Sequence, residues 1–398
     1  MKRREFLKVS GLGAAAAAAS ASPVRACATT LRGTGDLAII IERATGSILI
    51  ADTTAREIVR RVEGLGDLSH ASAVYSRDAR YAYIFGRDGG LTKLDILEGA
   101  IVKRIMQAGN AIGGAISDDG QLVAVSNYKP GGIRVFDAST LEPVADIPAT
   151  YGADKRSKTV GLVDAPGRRF IYTLYDAGEI WIADFSGNGE PRIARHKGIG
   201  ELPYDALITG DGRHYIAGLF GEDGLTHIDL WQDKAEPRRI LSGYGRGEKK
   251  LPVYKMPHLE GWALGGGRFL LPAVGRHELL VVDAASFEEV GRIPVHGQPI
   301  FAVARPDGRY AWVNFAHPRN DTIQVVDIPS LTVVHEFKPG PAALHMEFAP
   351  RGHEVWLSVR DANEVHVYDT HSYEKRAVLP AQKPSGIFMT ARAHRIGL

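Results

Sequence analysis

Cysteine is almost missing from this chain: its 398 residues hold one, Cys27. No disulfide can form within it, and no Cys-x-x-Cys spacing exists for a structural zinc or a c-type haem. Any metal must be held by imidazole or carboxylate, or arrive inside a cofactor. Charge of one sign is missing as well. Lys and Arg number 48 against 46 Asp and Glu, a net of +2, so bulk charge does not argue for nucleic acid. Beyond the amino terminus no apolar run approaches the roughly 18 residues of a membrane-spanning helix. Helical periodicity is missing too. In its place stand 45 Gly and 21 Pro, a density expected where turns recur every ten residues or so.

The first 28 residues read as a targeting segment. Lys2-Arg3-Arg4-Glu5-Phe6-Leu7-Lys8 is similar to the twin-arginine export motif, and the alanine-rich run to Ala19 has no polar face to make it an amphipathic helix. Ala26-Cys27-Ala28 fits a small-x-small cleavage site, and Val24-Arg25-Ala26-Cys27 is a degraded lipobox. A soluble periplasmic protein is therefore expected, with a lipid anchor at Cys27 as the second choice. Gly33-Thr34-Gly35 does not open a helix after a strand, so no nicotinamide cofactor is expected.

The remainder, 29–398, reads as a repeat. Short β-rich runs end on Asp52, Asp95, Asp137, Asp184, Asp229, Asp283, Asp327 and Asp369. A spacing of roughly 45 residues, with a tight turn before most of these runs, marks a propeller blade of four strands. Eight such units predict an all-β, eight-bladed β-propeller. The first unit lacks its inner strand. Pro384 to Met389, which has the right pattern, is expected to supply it and close the ring with strands from both termini.

In a propeller the start of each inner strand and the loop between strands two and three share one face. Sorted by that rule, Arg43, Arg87, Lys129, Arg276 and Arg319 fall together, with Tyr204-Asp205, His70 and His258 at the starts of inner strands. A cationic rim around one mouth suits a polyanionic ligand, because guanidinium binds carboxylate with paired donors. The opposite face is expected to lack this excess. Histidines of blades 2 and 6 facing each other inside such a rim favour a flat, anionic ligand with a metal at its centre, as in a tetrapyrrole.

The run RYAYIFGRDGGLTKLD from Arg80 to Asp95 resembles the segment after the proximal histidine in the haem d1 propeller of cytochrome cd1 nitrite reductases. Ile41 to Gly46 is similar to that family's first arginine loop, and Lys255 to Gly261 to the stretch bearing a distal histidine. The resemblance implies haem d1, or a late precursor of it, as ligand. It implies Arg43 and Arg87 as carboxylate clamps, and the cationic rim adds Lys129, Arg276 and Arg319 as candidates for ligand binding. His70 would be the axial or catalytic imidazole, on the ligand's iron, and His258 a distal-side group. Tyr204-Asp205 stands where a second distal histidine is expected, which argues against nitrite reduction and for another proton transfer. The role implied is haem d1 biosynthesis, with cytochrome cd1 nitrite reductase and other maturation proteins as partners. Two alternatives stay open: a carrier that only delivers the tetrapyrrole, and an interaction propeller of the YVTN type.

Overall fold

The computed structural model describes residues 33–232, 234–243, 262–273 and 276–397. Among them lie eight four-stranded antiparallel sheets and one small hairpin, Thr150–Tyr151 with Lys155–Arg156. The sheets are the eight expected blades. Among the described residues helix is confined to 3-10 turns such as Thr34–Asp36, Arg360–Ala362 and Thr390–His394.

Blade 1 is closed as the sequence requires. Its strands Leu37–Glu42, Ser47–Asp52 and Glu57–Val62 take Pro384–Met389 as the inner strand, with Ile39 opposite Phe388 and Ile40 opposite Ile387. Blade 2 follows with Ser72–Tyr75, Tyr81–Phe85, Gly90–Asp95 and Ala100–Met106. Second and third strands are buried along most of their length because both faces of each blade are covered by neighbouring blades. Ile39 and Ile50 of blade 1 pack with Tyr75 and Ile84 of blade 2, while Ile40 and Leu49 pack with Trp356 and Val367 of blade 8. Outer strands alternate, with Val102 and Met106 exposed.

The recurring Asp is turn chemistry. Its carboxylate accepts backbone N–H groups two or three residues on: Thr54 and Ala55 at Asp52, Leu97 and Glu98 at Asp95, His371 and Ser372 at Asp369. The same aspartates take arginines on that face, as Arg80–Asp95 (2.8 Å), Arg213–Asp229 (2.8 Å) and Arg376–Asp369 (3.0 Å). Arginine is therefore present on this face too, neutralised where it meets these carboxylates. Residues 390–397 run across this end of the channel. Thr390 bonds the Leu37 carbonyl, Arg77 takes the Ala393 carbonyl, and the Gly397 N–H reaches Asp164.

Candidate functional site

The opposite mouth is shaped by a defect repeated from blade to blade. In blades 4, 5, 7 and 8 two inner-strand residues oppose one residue of the second strand. They are Gly161-Leu162, Tyr204-Asp205, Ile300-Phe301 and Leu344-His345. Each is a β-bulge, which breaks the two-residue alternation and re-aims side chains. The N–H groups freed by the bulge are bonded by buried side chains of the second strand. Asn314 Oδ1 accepts from Phe301 (2.9 Å) and Ser358 Oγ from His345 (2.9 Å). Blade 3 bulges on its second strand, where Tyr128 is the extra residue between Asn127 and Lys129.

Arg43 and Arg87 lie on adjacent blades with Asp67 between them. The Arg87 N–H donates to the Asp67 carbonyl (2.8 Å), and the Arg43 N–H to the Lys383 carbonyl (3.3 Å). Asp67 is pinned from behind: its own N–H reaches Asp88, which Arg104 holds at 2.6 Å. Gly89 completes that loop with φ at +85°, and a Cβ there would meet the Ala108 carbonyl at 2.1 Å. Hydrogen bonds from Ser69, then the Arg87 and Arg43 charges, hold the Asp67 carboxyl below its ordinary range. Burial and the nearby Arg360 guanidinium push Arg43 down, against Asp67.

From Arg87 the rim turns aromatic. The Arg87 guanidinium lies 5.1 Å from the Tyr128 ring centre, and the Tyr128 hydroxyl donates to that of Tyr204 at 3.0 Å. Tyr204 meets Tyr175 edge-on at 6.0 Å and Phe220 at 5.8 Å. Lys158 sits 4.7 Å from the Tyr175 ring and bonds Asp176 at 2.7 Å. Burial raises the Tyr128 and Tyr175 phenols. Cations and ring faces from blades 1 to 5 thus follow one another along one arc.

The other expected residues are placed less centrally. His70 is exposed, on a bend before the inner strand of blade 2, which begins at Ser72 and not at His70. The cause is the Ser69 N–H bonded to Asp67 Oδ1 (2.8 Å), a turn that delays pairing. Asp205 accepts the Ala206 N–H (3.0 Å) within its own bulge. Lys129, Arg276 and Arg319 are exposed at the same mouth, and Arg319 donates to the His296 carbonyl. His258 lies outside the described residues. Tyr128, Tyr175 and Phe220 complete the arc. Tyr128 and Tyr175 were legible only as polar loop residues, and Phe220 carried no signal.

A cavity of about 320 Å³ lies at the aspartate face between blades 5 and 6, lined by His214, His227, Arg238 and Phe287 among others. Arg238 Nε donates to His227 Nδ1 (3.0 Å), so His227 Nε2 carries the proton toward His214 Nδ1 (2.9 Å). No group of three His, Cys, Asp or Glu able to hold a metal occurs among the described residues.

A family model for the cytochrome D1 heme domain matches residues 32–393. Protein NirF of Stutzerimonas stutzeri is 58% identical over 376 residues, 94% of this chain and 96% of that protein. Protein NirF of Pseudomonas aeruginosa is 58% identical over 370 residues, 92% and 94% of the two chains. The solved structure of dihydro-heme d1 dehydrogenase NirN in complex with DHE matches with a TM-score of 0.80 at 26% identity, over 92% of this chain and 78% of that one.

Proposed function

The chain belongs to the cytochrome D1 heme domain family, and from that membership we propose that it binds a late haem d1 precursor at the rim of its channel and converts it. The role is in haem d1 biosynthesis. One observation carries the ligand class: Arg43, Asp67, Arg87, Tyr128 and Tyr204 follow one another along a single mouth, with Tyr175 and Phe220 behind. Such an arc fits a flat polyanion. Guanidinium groups clamp carboxylates at the edge, and aromatic faces lie along the ring. A relative of known structure holding a ligand named DHE supports the same reading.

In this assignment Arg43 and Arg87 fix the edge of the macrocycle, and His70, three residues beyond Asp67, addresses its centre. The iron, where present, comes with the substrate. The conversion is a dehydrogenation, its two electrons passing to an external electron acceptor, or a side-chain change on the macrocycle. The twin-arginine segment supports periplasmic action on a folded chain.

The test is a titration of the purified chain with dihydro-haem d1 followed by absorbance. A shifted and intensified band is expected, and it should weaken in Arg87→Ala far more for the free acid than for its methyl ester. An unchanged spectrum in the wild type would overturn the reading. Binding without any conversion in a haem d1-forming extract would reduce the chain to a carrier.

A further inference from the structure

We propose that Tyr204 delivers a proton to the bound macrocycle and that Tyr128 is the positioning residue that aims it. The inference rests on the mouth being a tetrapyrrole site. Two phenols 3.0 Å apart share one hydrogen bond, and Tyr128 is the donor. Tyr204 oxygen accepts that hydrogen, so its own O–H must point elsewhere. Tyr204 stands half-exposed at the start of the inner strand of blade 5, in a bulge that turns it out of the ladder. The direction left to its O–H is the mouth.

The ring cannot wander. Tyr175 and Phe220 brace it at 6.0 and 5.8 Å, and the Thr173 hydroxyl holds the Tyr204 carbonyl at 2.9 Å from blade 4. Gly161 lets the two inner strands come this close: a Cβ there would lie 3.0 Å from the Tyr204 carbonyl. Tyr128 is fixed from its other side by the Arg87 guanidinium over its ring. Burial holds Tyr128 firmly protonated, so it keeps its hydrogen while Tyr204 gives its own.

This proton transfer changes no oxidation state, and any electrons lost by the macrocycle go to the external acceptor. The Tyr204 O–H bond breaks, the proton passes to a basic atom of the macrocycle, and the electron pair stays on the phenolate oxygen. The intact Tyr128 O–H donates to that oxygen, and water in the open mouth returns a proton afterwards.

The test uses the full chain with Tyr204→Phe and Tyr128→Phe, each losing one oxygen and keeping its ring. Dihydro-haem d1 titration reads binding, and a haem d1-forming assay reads rate. Both variants should bind within about threefold of wild type. Tyr204→Phe should form haem d1 at least about a hundredfold more slowly, within the range of general acid catalysis. Tyr128→Phe should lose about tenfold in kcat at unchanged KM, and the alkaline limb of its pH–rate profile should move upward. Wild-type rates in Tyr204→Phe, or an unmoved pH profile in Tyr128→Phe, would refute the pair. A wild-type chain that binds no tetrapyrrole overturns the site reading itself, and this inference with it.

Discussion

Asp67 offers a test in which the sign of the change matters more than its size. It is the protein's own carboxylate between two guanidinium groups that are assigned here to carboxylates of a ligand. Asp67→Asn removes the charge and keeps an oxygen for the Ser69 N–H, so the turn before His70 survives. A ligand carboxylate clamped by Arg43 or Arg87 would lie roughly 6–8 Å from that charge, and in a water-like dielectric each repulsion costs about 0.6 kcal/mol. Two carboxylates give about 1 kcal/mol, or fivefold tighter binding. Asp67 is exposed, so salt should erode the gain, and titrations belong at low and at physiological ionic strength. Arg87→Ala must move the other way, by about 1.5–3 kcal/mol for a charged hydrogen bond left unmade. If Asp67→Asn binds an anionic tetrapyrrole equally or more weakly, the arginines serve the loop and not the ligand.

Glu42→Leu should loosen the ring closure. The buried carboxylate accepts from Gln382 N–H, Ser47 and Arg61, each at 2.7 Å, so about 3 kcal/mol and roughly 4 °C in Tm are at stake, and a change under 1 °C in a melt would refute it. His227 is pushed down to about 4, first by burial and then by Arg238. Its fold is therefore unpenalised above the ordinary imidazole value of 6.5, and stability falls as pH drops from 6.5 to 4, by about 3 kcal/mol at most. His227→Gln should flatten that slope relative to wild type in pH-dependent melts. Arg3→Lys with Arg4→Lys should leave the precursor in the cytoplasm on fractionation, and periplasmic accumulation would sink the export proposal. His70→Ala should melt within about 2 °C of wild type, being exposed, yet lose haem d1 formation in cells. Normal production would remove His70 from the site.

How much of this was legible follows from what each residue is for. The eight aspartates were readable because turn chemistry is local: a carboxylate that must reach the N–H two or three residues on leaves the same letter in every blade. The closing strand was readable by subtraction, since a three-stranded first blade needs Pro384–Met389. Arg43 and Arg87 were found because loops can be ranked by face without coordinates. Composition counts a guanidinium but not the aspartate across the blade that neutralises it, as Asp229 does for Arg213 at 2.8 Å.

The contacts among the aromatic residues of the rim were not readable, and the bulges are why. A strand read at period two assigns Tyr128 and Tyr204 to faces by parity. One inserted residue in each blade breaks that parity where the channel opens. The bulge is stabilised by partners on another strand, such as Asn314 and Ser358, which in sequence look only like polar residues in buried runs. Local rules thus reveal the frame, while the aim of the functional side chains is set where those rules are broken. The hydroxyl contact between Tyr128 and Tyr204 spans blades 3 to 5 and is a property of the closed ring alone. A residue that works through such a contact leaves no local mark, so in this fold bulged positions at the open mouth are where candidate catalytic groups should be sought first.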